Sequence, residues 1–145
     1  MRHHSRWLVV IPIVALPLWS CQSNPGSEAS APPARVEAMD GTQPSRVILT
    51  EQGVERLDLQ TTPVIRLEGP DPVTSAVPYG AVIYDAQGDA WVYASVADRT
   101  FIRQAISIES IVGDRAYLSD GPDEGTQVVS VGAAELFGTE FNVGL

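Results

Sequence analysis

The side chains able to do chemistry are few in this 145-residue chain, and they are unevenly placed. Cys21 is the only thiol, at the end of an apolar run and the start of a polar one in "LPLWSCQSN". A lone thiol can serve as nucleophile, metal ligand or half of a disulfide, and each use needs a second group nearby. The two histidines are His3 and His4, and every one of the nine cations is an arginine. Carboxylates remain, either as a glycosidase-type acid pair or as a hard-cation site. Their densest cluster is "SDGPDEG", with Asp120, Asp123 and Glu124. Its Gly and Pro spacing departs from the twelve-residue EF-hand pattern. Asp, Gly and Pro routinely build solvated β-turns, and a turn is the expectation here.

The surroundings of Cys21 decide among its uses. A basic head "MRHHSR" precedes the apolar run "WLVVIPIVALPLW", which gives way to "SCQSN". At thirteen residues the run is too short to cross about 30 Å of hydrocarbon at roughly 1.5 Å per residue. Pro12 and Pro17 weaken it further as a helix. The pattern is that of an export signal over residues 1–20. Leu18, Trp19 and Ser20 before Cys21 resemble the lipobox of bacterial lipoproteins. That resemblance implies cleavage between Ser20 and Cys21, a diacylglyceryl group on the cysteine sulfur, and attachment to the lipid bilayer on the extracytoplasmic face. Cys21 is then an anchor, and the alternative is a secreted protein with an incidental cysteine. In a cell with two membranes, Gln22 lacks the inner-membrane retention signal that Asp would give at that position.

Removal of residues 1–20 takes both histidines with it, so the mature chain would hold no imidazole, no amine side chain and no free thiol. Triads and Schiff-base chemistry lose their proton acceptors and nucleophiles. Zinc and copper lose their usual ligands. The expectation is a protein that is not an enzyme and carries no cofactor. A formal net charge of −9 also disfavours nucleic acid, because the field repels phosphate and no arginine cluster reverses it locally.

Residues 21–45 run "CQSNPGSEASAPPARVEAMDGTQPS", rich in Pro, Ser, Ala and Gly without hydrophobic period, and read as a disordered tether. Residues 46–145 are enough for one small core. "RVILT" begins as a strand, and Thr50 can cap a short helix "EQGVERL" in which Val54 and Leu57 share a face. "DLQTTPVIRL" is extended, with Pro63 pointing to a sheet edge. "VPYGAVIY" and "AWVYASV" flank the turn "DAQGD" as a hairpin, with Asp85 opening it and Gly88 in the positive-φ position. "TFIRQAISIES" alternates, Ile102, Ile106 and Ile108 to one side and Arg103 and Ser107 to the other. "IVGDRAYLS" is a tight hairpin over Gly113 and Asp114, "TQVVSVG" the last strand, and "AAELFG" a turn or two of helix stopped by Gly138. The aromatic set Tyr79, Tyr84, Trp91 and Tyr93 is expected in ordinary sheet packing, and Arg99 and Arg103 on a solvated face. The whole is a mainly-β domain, a small roll or barrel with one or two short helices.

Val77 and Pro78 opening a hairpin, Gly88 in its turn, Val92 and Tyr93, Ile106 and Ile108, Gly113 and Asp114, then Gly121, Gly125, Val128, Val129, Gly132 and Leu136 together resemble the membrane-proximal domain of periplasmic adaptor proteins, also called membrane fusion proteins. "VILTEQGVERLDLQTTPV" is similar to the opening of that domain in the heavy-metal-efflux branch. The resemblance implies a circularly permuted SH3-like β-roll that docks on an efflux transporter permease, resistance-nodulation-division type favoured and ATP-driven type possible. The barrel, lipoyl-like and hairpin domains of full-length adaptors are missing, since only Ile65 to Ala76 bridge Val64 to Val77, and their roles do not carry over. A cell-surface lipoprotein binding calcium or a small ligand through its acidic turns is the alternative.

Overall fold

Residues 32–39, 44–67 and 74–141 are described by the computed structural model. Ser20, Cys21 and the expected signal lie outside them, as do residues 22–31 and 40–43 of the expected tether. Along the chain stand β1 (Ala34–Glu37), β2 (Arg46–Leu49), α1 (Glu51–Arg56), β3 (Gln60–Pro63), β4 (Ile65–Leu67), β5 (Thr74–Pro78), a 3-10 turn (Tyr79–Ala81) and β6 (Ile83–Tyr84). β7 (Ala90–Ala97), β8 (Thr100–Ala105), β9 (Ser107–Val112), β10 (Arg115–Asp120), β11 (Gln127–Val131) and α2 (Ala133–Glu140) follow.

The domain is mainly β, as the composition of its short runs requires. One antiparallel sheet has the order β1-β2-β8-β7-β11-β3, with β6 also paired to β7; the second has the order β4-β5-β10-β9. Both are open, and no barrel closes among the described residues. Pro63, which has no N–H to give a ladder, sits in the edge strand β3 as expected.

The period-2 pattern of the central strands sorts the core into two layers. Val47, Leu49, Ile83, Tyr93, Phe101 and Val129 face the helices, where Ala133 and Leu136 of α2 and the partly buried Val54 and Leu57 cover them. Val64, Val77, Ala81, Val92, Ile106, Ala116, Leu118 and Val128 fill the space between the sheets. Neighbours such as Val92 and Tyr93, or Val128 and Val129, thus enter opposite cores. The described domain is built as helices, seven-stranded sheet and four-stranded sheet in turn.

Four expectations are corrected. Ala34–Glu37, read as tether, is a strand, with Ala34 opposite Leu49 and Glu37 opposite Arg46. Four residues show no period in sequence; backbone pairing to β2 and a close approach to α1 hold them. Pro33 O accepts from Thr50 N at 3.0 Å and from Thr50 Oγ1 at 3.2 Å. A Cβ on Gly53 would fall 2.3 Å from the same oxygen, so glycine is what lets the segment in. Secondly, "VPYGAVIY" is not one hairpin arm: Val77 and Pro78 belong to β5 in the second sheet, and only Ile83 and Tyr84 pair with β7.

Thirdly, "TFIRQAISIES" is cut at Ile106, a buried corner residue between β8 and β9, so its two halves lie in different sheets. Arg103 therefore shares the α2-facing side of the sheet with Phe101 instead of meeting solvent. Val64 makes the equivalent corner between β3 and β4. Finally, α2 does not stop at Gly138 but runs to Glu140. Buried Leu136 and Thr139 hold the last turn down, Thr139 Oγ1 donating to Glu135 O at 2.9 Å. Tertiary packing outweighs the propensity cost of one glycine, roughly 1 kcal/mol.

Candidate functional site

β7 points Trp91 and Tyr93 toward α2, and β8 places Arg103 directly across from Tyr93. The last turn of α2 adds Phe137 and Glu140, followed by Phe141. In this cluster Arg103 Nε lies 2.9 Å from Glu140 Oε2, and the two side chains are only 12% and 3% exposed. Tyr93 Oη donates to the same carboxylate oxygen from a fully buried position. The guanidinium carbon stands 4.6 Å from the Trp91 ring centre, 5.0 Å from that of Phe141 and 5.7 Å from that of Phe137. The cation is neutralised on one edge and stacked on its faces, an arrangement suited to arginine's flat, weakly hydrated group.

A second carboxylate holds the outer side of the cluster. Trp91 Nε1 donates to Asp85 Oδ2 at 2.9 Å, while Asp85 Oδ1 accepts from Gln87 N at 3.0 Å and Asp89 N at 2.9 Å. Burial pushes the Asp85 carboxyl up, but the Trp91 and backbone N–H donors outweigh it and hold the group below its ordinary value. Tyr93 moves the other way. Burial first, then the bond to Glu140 and its charge, raise the phenol, with Arg103 opposing. A phenol so held keeps its proton, and the carboxylate it faces is only 3% exposed. Structurally the cluster is a clamp between α2 and the β6–β7 turn, with Glu140 and Tyr93 buried inside it and Asp85 on its solvent side.

The acidic turn stands elsewhere. Asp120, Asp123 and Glu124 are exposed and line a shallow cleft of about 160 Å³ with Arg66, Ser75 and Ser119. Among the described residues no three His, Cys, Asp or Glu side chains are grouped to hold a metal ion. The aromatic set divides: Tyr93 is core, Trp91 half-buried, and Tyr79 and Tyr84 exposed. Arg99 is exposed and paired with Asp98 at 3.1 Å, as a solvated face would have it, whereas Arg103 is not. Ser20 and Cys21 lie outside the described residues.

The remaining site feature is an edge. β9 is the last strand of the second sheet, and among the described residues nothing pairs with its outer side. Of its six residues only Ile108 is even partly covered, and Ile111 and Val112 at the tip are 45% and 62% exposed. Glu109 is its single charge. The register against β10 shifts on either side of Leu118, where Ile108 stands opposite Leu118 and packs against the core, while Ile111, opposite Ala116, stays exposed. Such an edge offers backbone donors and acceptors together with apolar side chains, which is the material of strand addition by a partner.

Reading by residue type missed Glu140, Phe137 and Phe141. The signal was the four-residue spacing of Phe137 and Phe141, and of Leu136 and Glu140, which puts each pair on one helix face only if the helix passes Gly138. No protein-family model matches this chain, and no curated relative does either.

Proposed function

We propose that this chain is a lipid-anchored extracytoplasmic adaptor, or accessory subunit, of an efflux transporter, held to the bilayer through acylated Cys21 and acting by protein–protein docking without catalysis. The anchor rests on the lipobox-like "LWSC" after a thirteen-residue apolar run. The transporter rests on the ordered positions from Val77 to Leu136 that resemble the membrane-proximal domain of periplasmic adaptors. A resistance-nodulation-division permease is the favoured partner. The observation that carries docking is β9, whose open backbone edge and exposed Ile111 and Val112 suit a partner strand better than they suit water.

The test is co-purification of the intact chain from native membranes in mild detergent after crosslinking. Recovery of a transporter permease subunit is expected, and its absence sinks the adaptor reading. Replacing Cys21 with Ser addresses the anchor independently. Two acyl chains bind far more firmly than one, at about 0.8 kcal/mol per buried methylene, so the variant should leave the membrane fraction.

A further inference from the structure

The docking of β1 changes where the folded domain begins. On its composition alone the chain is free from Cys21 to Arg46; in the structure it is already held at Pro33. Pro33 O takes two hydrogen bonds from Thr50, at 3.0 Å from N and 3.2 Å from Oγ1, and fits against Gly53 where a Cβ would be 2.3 Å away. Beyond it, Arg35 pairs with Ile48 and Val36 with Val47 at the free side of β2. Any pull from the N-terminal side is met by this clasp before it reaches the segment between β1 and β2.

We propose that the Pro33–Gly53 clasp, continued by β1, is the attachment point that sets how far the domain stands from the membrane. The proposal rests on the lipid anchor at Cys21 put forward above. The twelve peptide steps from Cys21 to Pro33 span at most roughly 40 Å whatever path they take, at about 3.3–3.6 Å each. The twenty-five steps to Arg46 would allow roughly 85 Å. The clasp therefore halves the reach. The segment between β1 and β2 is taken out of the path and adds nothing to the distance.

That last consequence makes the test. Gln87→Cys places an introduced thiol for a fluorescent donor on the exposed β6–β7 turn, with Cys21 blocked by its lipid. The full lipidated chain is reconstituted in phosphatidylethanolamine–phosphatidylglycerol vesicles containing a rhodamine-labelled lipid, and energy transfer is read. Inserting ten Gly/Ser residues between Pro32 and Pro33 adds up to about 35 Å of reach and should lower transfer. The same insertion between Asp40 and Gly41 should leave transfer at the wild-type level. Equal losses from both insertions overturn the clasp, as does no loss from the first. A parent chain that does not stay with the vesicles overturns the anchor instead, and the Cys21→Ser control identifies that outcome. Neither insertion lies within β1 or β2.

Discussion

At the scale of single residues, the charge placed under α2 dominates. Removing one member of a buried ion pair leaves the other uncompensated, at a cost of roughly 3–5 kcal/mol. Glu140→Gln should therefore lower the unfolding free energy by about 3 kcal/mol in urea titration, with Trp91, the one tryptophan beyond Cys21, as the fluorescent reporter. Replacing both partners with methionine should restore most of the loss, because well-packed apolar side chains are often as stable there as the ions. Asp85 predicts a pH effect. Its folded-state carboxyl titrates below the ordinary 3.8, so its contribution is complete above that value and fades as pH falls through the lower one. The stability gap between wild type and Asp85→Ala should accordingly be widest near neutrality and close in acid. A gap independent of pH would mean that the carboxylate's charge is irrelevant to the turn.

Secondary-structure elements here depend on glycines that admit close neighbours. Gly132 precedes α2 at φ +80°, with Leu57 O only 2.7 Å from where a Cβ would be. Gly53 does the same for the Pro33 segment. Gly53→Val should force β1 off the sheet. Arg35 then becomes a trypsin site, and limited proteolysis should cut there well before the wild-type chain is cut. Unchanged protection would mean that β2 holds β1 without the clasp. The helix "EQGVERL" and its Thr50 cap were legible because capping is local: Thr50 Oγ1 accepts from Gly53 N at 3.1 Å. The end of α2 was less legible, since what carries it past Gly138 is tertiary: the burial of Leu136 and Thr139 and the pairing of Glu140 with Arg103 on β8, 37 residues earlier.

At the scale of the folded domain, the longest terminal strand of either sheet among the described residues is β9. Lysine on an edge strand discourages pairing with another chain while barely affecting the fold. Ile111→Lys with Val112→Lys should thus keep the wild-type unfolding midpoint and abolish crosslinking to the permease. Retained crosslinking would move the docking surface away from β9. None of this surface could be read in advance. Which strand of "TFIRQAISIES" ends at an edge depends on the corner at Ile106, and a corner is a matter of which core a side chain enters.

Several features were nevertheless determined by the sequence alone, because they arise between residues near one another in the chain. Apolar and β-branched alternation required a mainly-β domain; Asp85 with Gly88 and Gly113 with Asp114 required turns; Pro63 required an edge. The tertiary structure decided what depends on distant segments meeting. It assigned Val77 and Tyr84 to different sheets, took Pro33 into the fold through the absence of a side chain at Gly53, and turned Arg103 from a surface charge into the centre of a buried cluster. A strand's period says which residues share a face, but only packing says what that face meets.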